Sequence, residues 1–158
     1  MSDLKAPSAC NRFCSDHVAI LRTSFKKLTG DELTPPELDE EQAAQYLFDA
    51  PFAVVSHTTD ADPLFNYANR KAMQLFEMDW DAITSLPSRM SAESVNQDER
   101  SRLLKEVSEH GYINNYSGIR ISSSGKRFRI SGATVWNLID ADGGPAGQAA
   151  MFDDWTFV

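Results

Sequence analysis

Three residues near the amino terminus have side chains that commonly bind metal ions. Cys10, Cys14 and His17 follow one another at i, i+4 and i+7, so a single helix would place them on one face. Thiolates and imidazoles are typical Zn²⁺ ligands, but a structural site needs four of them, and the sequence places no fourth. The alternative is one cysteine on a buried helix face with exposed neighbours. We therefore predict no metal site.

The other two histidines lie at the ends of predicted elements. His110 ends a predicted long helix, where a histidine interacts favourably with the helix dipole. His57 ends a predicted strand and could point either into the domain or toward solvent. The sequence alone does not decide between these two orientations of His57.

The common arrangements for catalysis do not occur in this sequence. There is no Gly-x-Ser-x-Gly nucleophile motif and no glycine-rich phosphate-binding loop. Asp153 and Asp154 are adjacent, so on a strand they would point to opposite faces and could not act on one substrate. We predict that the protein is not an enzyme.

The last third of the chain has the alternation of antiparallel strands. Apolar and polar residues alternate over residues 117–122 and 126–130, with a Ser-Ser-Gly turn between them. The alternation predicts four inward-pointing side chains: Ile119, Ile121, Phe128 and Ile130. The stretch 132–139 is apolar on both faces, as in a central strand, and Gly132 could mark a bulge. The sequence therefore predicts a three-stranded meander from Tyr112 to Val158.

Helical periodicity and turn residues predict the upstream elements. We expect disorder in residues 1–10, an N-terminal helical extension over 11–50 and the main domain over 51–158. The expected helices span residues 11–28, 40–48, 70–77 and 97–110, and the expected strands span 52–56 and 64–68. Asn69 is a predicted N-cap, and Asn96 with Glu99 fits a capping box.

The first predicted helix carries a narrow apolar stripe, spaced alternately by three and four residues. Such a stripe either packs on the rest of the domain or pairs with a second copy of the chain. The candidate residues for a homodimer interface are Val18, Leu21, Phe25 and Leu28.

Composition limits the classes of partner. The 158 residues carry a formal net charge of −8, which argues against nucleic-acid binding. Four basic residues around one hairpin most simply form a solvated sheet face, with an anion-binding patch as the alternative: Arg120, Lys126, Arg127 and Arg129. No apolar run is long enough to span a membrane. No secretory signal is recognisable, and two cysteines suit a reducing cytoplasm.

The order of elements resembles a PAS domain: two strands, short helices, a longer helix and three strands. Residues 65–72 resemble the strand-to-helix turn of PAS domains, and residues 122–128 resemble their fourth-to-fifth strand hairpin. Residues 143–156 resemble their last strand with its Asp-x-Thr ending. The implied fold is α+β, with a five-stranded antiparallel sheet flanked by helices and an N-terminal helical extension.

A closer resemblance is to the MEKHLA domain family, which is related to PAS domains. The matching segments are 50–57, 86–93, 116–122, 133–138 and 147–150, and the resemblance extends over nearly the whole chain, from about Phe13 to Val158. Members occur as stand-alone bacterial proteins, the type this chain resembles, and at the C-terminus of plant homeodomain–leucine-zipper regulators. The resemblance implies a sensing or interaction module and carries over no catalytic residues.

A cupped sheet could enclose a ligand site. Its candidate lining residues are His57, Phe65, Asn66, Phe76, Arg100, Tyr116, Trp136 and Phe152. The alternative is a fully packed aromatic core. The cofactor is unknown: neither cysteine lies where flavin photochemistry requires one, non-covalent flavin stays open, and His110 is the only haem candidate. We expect a non-catalytic module for a small ligand or a protein partner, with a carrier or a small enzyme as alternatives.

Overall fold

The computed structural model describes residues 4–158 and contains one antiparallel sheet with helices on both faces. The sheet order is β2-β1-β5-β4-β3, and a short β6 pairs with β4. The strands are β1 Ala53–His57, β2 Phe65–Ala68, β3 Tyr112–Ile121, β4 Arg127–Ile139, β5 Pro145–Phe152 and β6 Asp154–Phe157. The helices are α1 Ser15–Thr29, α2 Glu40–Phe48, α3 Arg70–Phe76, α4 Trp80–Ile83 and α5 Ser94–His110, with 3₁₀ segments at Ala9–Cys14 and Ser88–Ser91.

The sheet has one strand more than the five predicted. Strand β4 is 13 residues long, whereas its neighbour β5 has only 8. The first part of β4 is therefore left with an unpaired edge, and the chain turns at Asp153 to cover it. Strand β6 pairs along this edge from Phe128 opposite Phe157 to Ser131 opposite Asp154.

The predicted first helix is wrong over its first residues. Arg12, Phe13 and Cys14 have φ values of 54°, 57° and 58°, which lie in the left-handed region, and α1 begins only at Ser15. Cys10, Cys14 and His17 therefore do not share a helix face. Within residues 4–158, no three potential metal ligands lie close enough together to hold an ion.

The N-terminus of α5 also differs from the prediction. The helix begins at Ser94 with Glu93 as N-cap, and Glu93 forms an ion pair with Arg127. Glu99 does not complete a capping box with Asn96, because its carboxylate accepts a hydrogen bond of 3.0 Å from Tyr116 Oη. In contrast, α3 has the predicted cap, since the side chain of Asn69 accepts from the backbone of Ala72.

The apolar stripe of α1 packs on the domain's own sheet. Val18 and Leu21 are fully buried, and the Phe25 ring meets the Trp136 ring edge-on with centroids 4.9 Å apart. Trp136 Nε1 donates to the carbonyl of Leu21 at 3.3 Å. The assignment of this stripe to a dimer interface is therefore corrected, because α1 uses it, with the partly buried Leu28, to cover the sheet.

The segment before α1 has defined contacts where the structure describes it. The predicted disorder covers residues 1–10, of which 1–3 lie outside the described residues. The Leu4 carbonyl accepts from Trp80 Nε1 at 3.2 Å, and the Ala6 carbonyl accepts from Asn11 Nδ2 at 2.9 Å. None of the helices within residues 4–158 combines the length and apolarity needed to cross a bilayer.

A chain of hydrogen bonds joins α1 to β1. His17 Nε2 lies 2.9 Å from Ser56 Oγ, and Ser56 Oγ donates to Asn66 Oδ1 at 2.5 Å. Because the hydroxyl hydrogen goes to Asn66, His17 Nε2 must be the donor to Ser56. Burial lowers the pKa of His17 to about 4, so the ring is neutral at pH 7.

The low pKa of His17 predicts that acid destabilises the domain. The unfolded chain binds a proton at the usual pKa of 6.5, whereas the folded chain resists it, so stability is lost as the pH falls from 6.5 to about 4. We expect His17 to contribute about 2 kcal/mol of this loss, less than the full pKa difference because the ring is not completely buried. Urea unfolding at several pH values should show that the free energy of unfolding depends less steeply on pH in His17→Gln than in the wild type. The control is His110→Gln at an exposed site, and an unchanged slope in His17→Gln would contradict the assignment.

Candidate functional site

The sheet face opposite α1 is covered by α3, α5 and the 3₁₀ segment Ser88–Ser91. We call the space between them the cup. It contains a cavity of about 70 Å³ whose lining is mostly apolar. Ligand pockets for drug-sized molecules have roughly 300–1,000 Å³, so the cup is partly filled by its own side chains and has room for only a few atoms.

Six of the eight candidate lining residues surround this cavity: His57, Phe65, Phe76, Arg100, Tyr116 and Phe152. Trp136 does not, because Val135 faces the cup and its neighbour on the strand therefore faces α1. Asn66 does not either. The β1–β2 register shifts between Ser56 and His57, which places Asn66 in the bulge with its side chain on Ser56.

Arg120 is a cup residue that sequence analysis missed. The alternation in β3 predicts that the isoleucines point inward, but Arg120 is only 8% exposed and lines the cavity, while Ile119 and Ile121 are half-buried. A usable signal was the i, i+4 spacing of Tyr116 and Arg120, which places both on one strand face. Ser88 and Gln148 also line the cup and carried no recognisable sequence signal.

Gly118 lets Tyr116 reach toward Arg120. A Cβ atom at position 118 would lie 2.1 Å from Tyr116 Oη, so the phenol ring lies across the space that any larger residue would fill. Tyr116 Oη accepts a hydrogen bond of 3.2 Å from Arg120 and donates to Glu99. The glycine therefore helps to build a chain of three polar side chains along the wall of the cup.

Two buried guanidinium groups face the cup without a paired carboxylate. Arg100 is 8% exposed, and one of its Nη atoms donates to Ser88 Oγ. Arg120 donates to the Ile119 carbonyl at 2.9 Å and to Tyr116. Within residues 4–158, neither arginine takes part in an ion pair. Burial and then the charge of Arg120 lower the pKa of Arg100 to about 10, so it remains charged at pH 7.

His57 lines the same cavity and carries an unpaired acceptor. Its Nδ1 lies 3.0 Å from the Thr58 carbonyl, which can only accept, so Nδ1 carries the hydrogen. Its Nε2 is buried and has no hydrogen-bond partner within the described chain. Burial lowers the pKa of His57, and the positive charge of Arg100 adds to this effect. His57 is therefore neutral at pH 7, with a free lone pair on Nε2.

An open groove adjoins the cup. This groove of about 520 Å³ shares two lining residues with the cavity, His57 and Gln148. Gln148 Nε2 lies 3.1 Å from each of three acceptors, the Leu104 carbonyl, Ser108 Oγ and Asn137 Oδ1, which share its two hydrogens. These two side chains form the wall between the groove and the cup.

The cup as it stands does not fit the cofactors considered from the sequence. Its volume is too small for an isoalloxazine ring or a haem. His110 is exposed and lies outside the cup lining, and both cysteines precede α1. Any larger ligand would need the cup to open.

A five-stranded 2-1-5-4-3 path with a helix-covered cup on one face defines a PAS-like domain. Solved structures share this fold. The PAS domain of a protein from Colwellia psychrerythraea has a TM-score of 0.62 at 12% identity, covering 75% of this chain and 95% of that one. A fungal LOV domain photoreceptor has a TM-score of 0.61 at 15% identity, covering 90% of this chain and 91% of that one.

Within this fold class, the chain belongs to the MEKHLA domain family, whose model matches residues 15–157. The homeobox-leucine zipper protein HOX29 of Oryza sativa subsp. japonica is 28% identical over 143 residues, 85% of this chain and 16% of the relative. ATHB-14 of Arabidopsis thaliana is 28% identical over 103 residues, 63% of this chain and 12% of the relative. The chain thus spans about one eighth to one sixth of the length of these curated relatives. The predicted MEKHLA family and the predicted PAS-like fold are confirmed.

Proposed function

We propose that this domain is a non-catalytic sensory module whose small ligand binds in the cup. The observation that carries the proposal is a set of polar groups there that lack a counterpart: two buried arginines without an ion pair and one histidine nitrogen without a hydrogen bond within the described chain. Buried polar groups are normally paired, and each exception calls for an explanation. Arg100, Arg120 and His57, whose Nε2 has no partner within residues 4–158, all line one small cavity. A bound molecule would satisfy them, whereas a packed structural core would have no use for them.

Strand β1 offers a physical route from the cup to the outer helices. His57 faces the cup, and its neighbour Ser56 accepts the hydrogen bond from His17 of α1 on the opposite face. A ligand that moves His57 therefore also acts on the strand that holds α1. A sensor needs a ligand with different affinities for two conformations. Here the two conformations would differ in how α1 packs on the sheet.

A protein partner would complete the signal. The PAS-like fold is that of sensory domains, and the curated relatives carry the matching region as part of much longer chains. We propose that a partner, in the same chain or another, contacts the α1 side and responds to its position. A cytoplasmic location is part of this proposal and is supported by the two free cysteines.

Native mass spectrometry of freshly purified protein, with an absorbance spectrum, tests the proposal. We expect an added mass that is lost on denaturation. Ala133→Leu should abolish it, because Ala133 lines the cup and a larger side chain would fill the cavity. The matched control is Ala43→Leu in α2, a buried alanine outside the cup. A bare chain in every preparation, with identical spectra in folded wild type and Ala133→Leu, would reject the ligand.

A further inference from the structure

We infer that the ligand of the cup is a small organic monocarboxylate, held by Arg100 and Arg120 at its charged end. This inference rests on the proposed function and adds the chemical class of the ligand. Arginine presents a planar fork of donors that matches a carboxylate. Most of these donors are free here: Arg100 makes one hydrogen bond within the described chain, and Arg120 makes two.

The charges around the cup favour a single negative charge on the ligand. Arg100 and Arg120 contribute two positive charges, and Glu99, linked to Arg120 through Tyr116, contributes one negative charge. Arg89 and Asp62 pair with each other at 3.0 Å and cancel. One uncompensated positive charge remains, and one carboxylate would neutralise it. Burying unpaired charge is costly, so this imbalance points to an anion that completes the site.

The rest of the lining favours an organic anion over an inorganic one. Away from the arginines, the cavity is lined by apolar side chains: Val55, Phe65, Phe76, Leu103, Ile130 and Phe152. A short hydrocarbon body would lie against these residues, whereas chloride or phosphate would leave them without contact. The cavity of about 70 Å³ limits that body to a few carbon atoms unless the cup opens.

A ligand would have a short path into the cup. His57 and Gln148 separate the cavity from the open groove, and rotation of these two side chains would connect the two spaces. His57 offers a free acceptor on the way, so a hydroxyl group on the acid would find a partner there. The carboxylate is the group that defines the ligand class, and a hydroxyl group would be an additional feature of the same acid.

Propionate is the probe for this assignment, and propionamide is its neutral counterpart of nearly the same shape. Titrations of the whole chain at constant ionic strength, followed by backbone amide NMR, should show saturable shifts of cup residues with propionate. Propionamide, sodium chloride and phosphate should produce no saturable shifts at cup residues. Arg100→Gln and Arg120→Gln should each weaken propionate binding at least about tenfold, since each removes charge-assisted hydrogen bonds. Arg129→Gln, at an exposed position of the same hairpin, should leave binding unchanged.

The outcomes separate this inference from the proposed function. Equal binding of propionamide and propionate would contradict the claim that the ligand is an anion, while leaving a ligand site in the cup. Equal binding of chloride or phosphate would overturn the organic acid. No binding of any probe, together with no ligand in the native mass spectrum, would overturn both proposals. The comparison of probes uses the wild-type chain, so it stands even where an arginine variant fails to fold.

Discussion

Replacing Asn69 with alanine is expected to lower the free energy of unfolding by about 3 kcal/mol or more. The side chain is fully buried and makes four hydrogen bonds. Its Oδ1 accepts from the backbone of Val54 at 3.0 Å and of Ala72 at 3.1 Å. Its Nδ2 donates to the carbonyls of Leu47 at 3.0 Å and Phe52 at 2.8 Å. Alanine would remove the acceptor of the backbone N–H groups of Val54 in β1 and Ala72 in α3, and the donor that links them to α2.

Urea unfolding of Asn69→Ala would measure this loss. The matched control is Asn66→Ala, the same chemical change at a half-buried asparagine with one hydrogen bond, to Ser56, for which we expect a loss of about 1 kcal/mol. Equal losses in the two variants would contradict the role of Asn69 as the junction of three elements.

Replacing Gly147 with alanine is expected to cost about 3 kcal/mol. Gly147 has a φ of +121°, and a Cβ atom there would lie 2.0 Å from the backbone carbonyl oxygen of His57. Because the obstacle is backbone, no side-chain rotation can relieve the clash, and β5 would separate from β1 beside the wall of the cup.

Gly143→Ala is the matched control for this prediction. Gly143 also has a positive φ, +84°, but no atom lies within 4 Å of the position that a Cβ would take, so only backbone strain of about 1 kcal/mol applies. Thermal and urea unfolding of both variants would separate the clash from the strain. A Gly147→Ala variant as stable as Gly143→Ala would show that β1 and β5 do not approach each other as described.

The sequence predicted elements wherever one local rule decided the outcome. Helix α2, the cap at Asn69 and the inward positions Phe128 and Ile130 follow from periodicity and capping, and the structure confirms them. The bulge suggested at Gly132 is also present, since the β3–β4 register shifts between Ile130 and Ala133.

The errors arose where distant contacts decide. Arg120 is buried because Tyr116 and the cup receive its guanidinium, and no alternation rule expects an arginine inward. Trp136 lies on the α1 face of β4. Because β4 is covered on both faces, its residues are apolar on both, and the sequence pattern could not show which face Trp136 takes. The left-handed residues before α1 follow no sequence preference that we can identify.

Most of the predicted candidates line the cup, but their polar interactions were not predicted. Arg100 and four of the five aromatic candidates line the cavity, whereas Trp136 lies on the other sheet face. The second arginine and the free nitrogen of His57 give the site its character, and both depend on side-chain geometry that a sequence does not contain.

The packing of α1 on β4 also constrains how the chain folds. Ser24 Oγ accepts from the backbone of Ile139, and Leu21 accepts from Trp136, so both contacts join residues 115 positions apart. Loop closure over such a distance is entropically costly, and topologies rich in distant contacts fold slowly. Helix α1 must therefore wait for β4 before its contacts can form. Until β4 is synthesised the apolar stripe of α1 has no sheet to cover, and the nascent chain is exposed to aggregation during that interval.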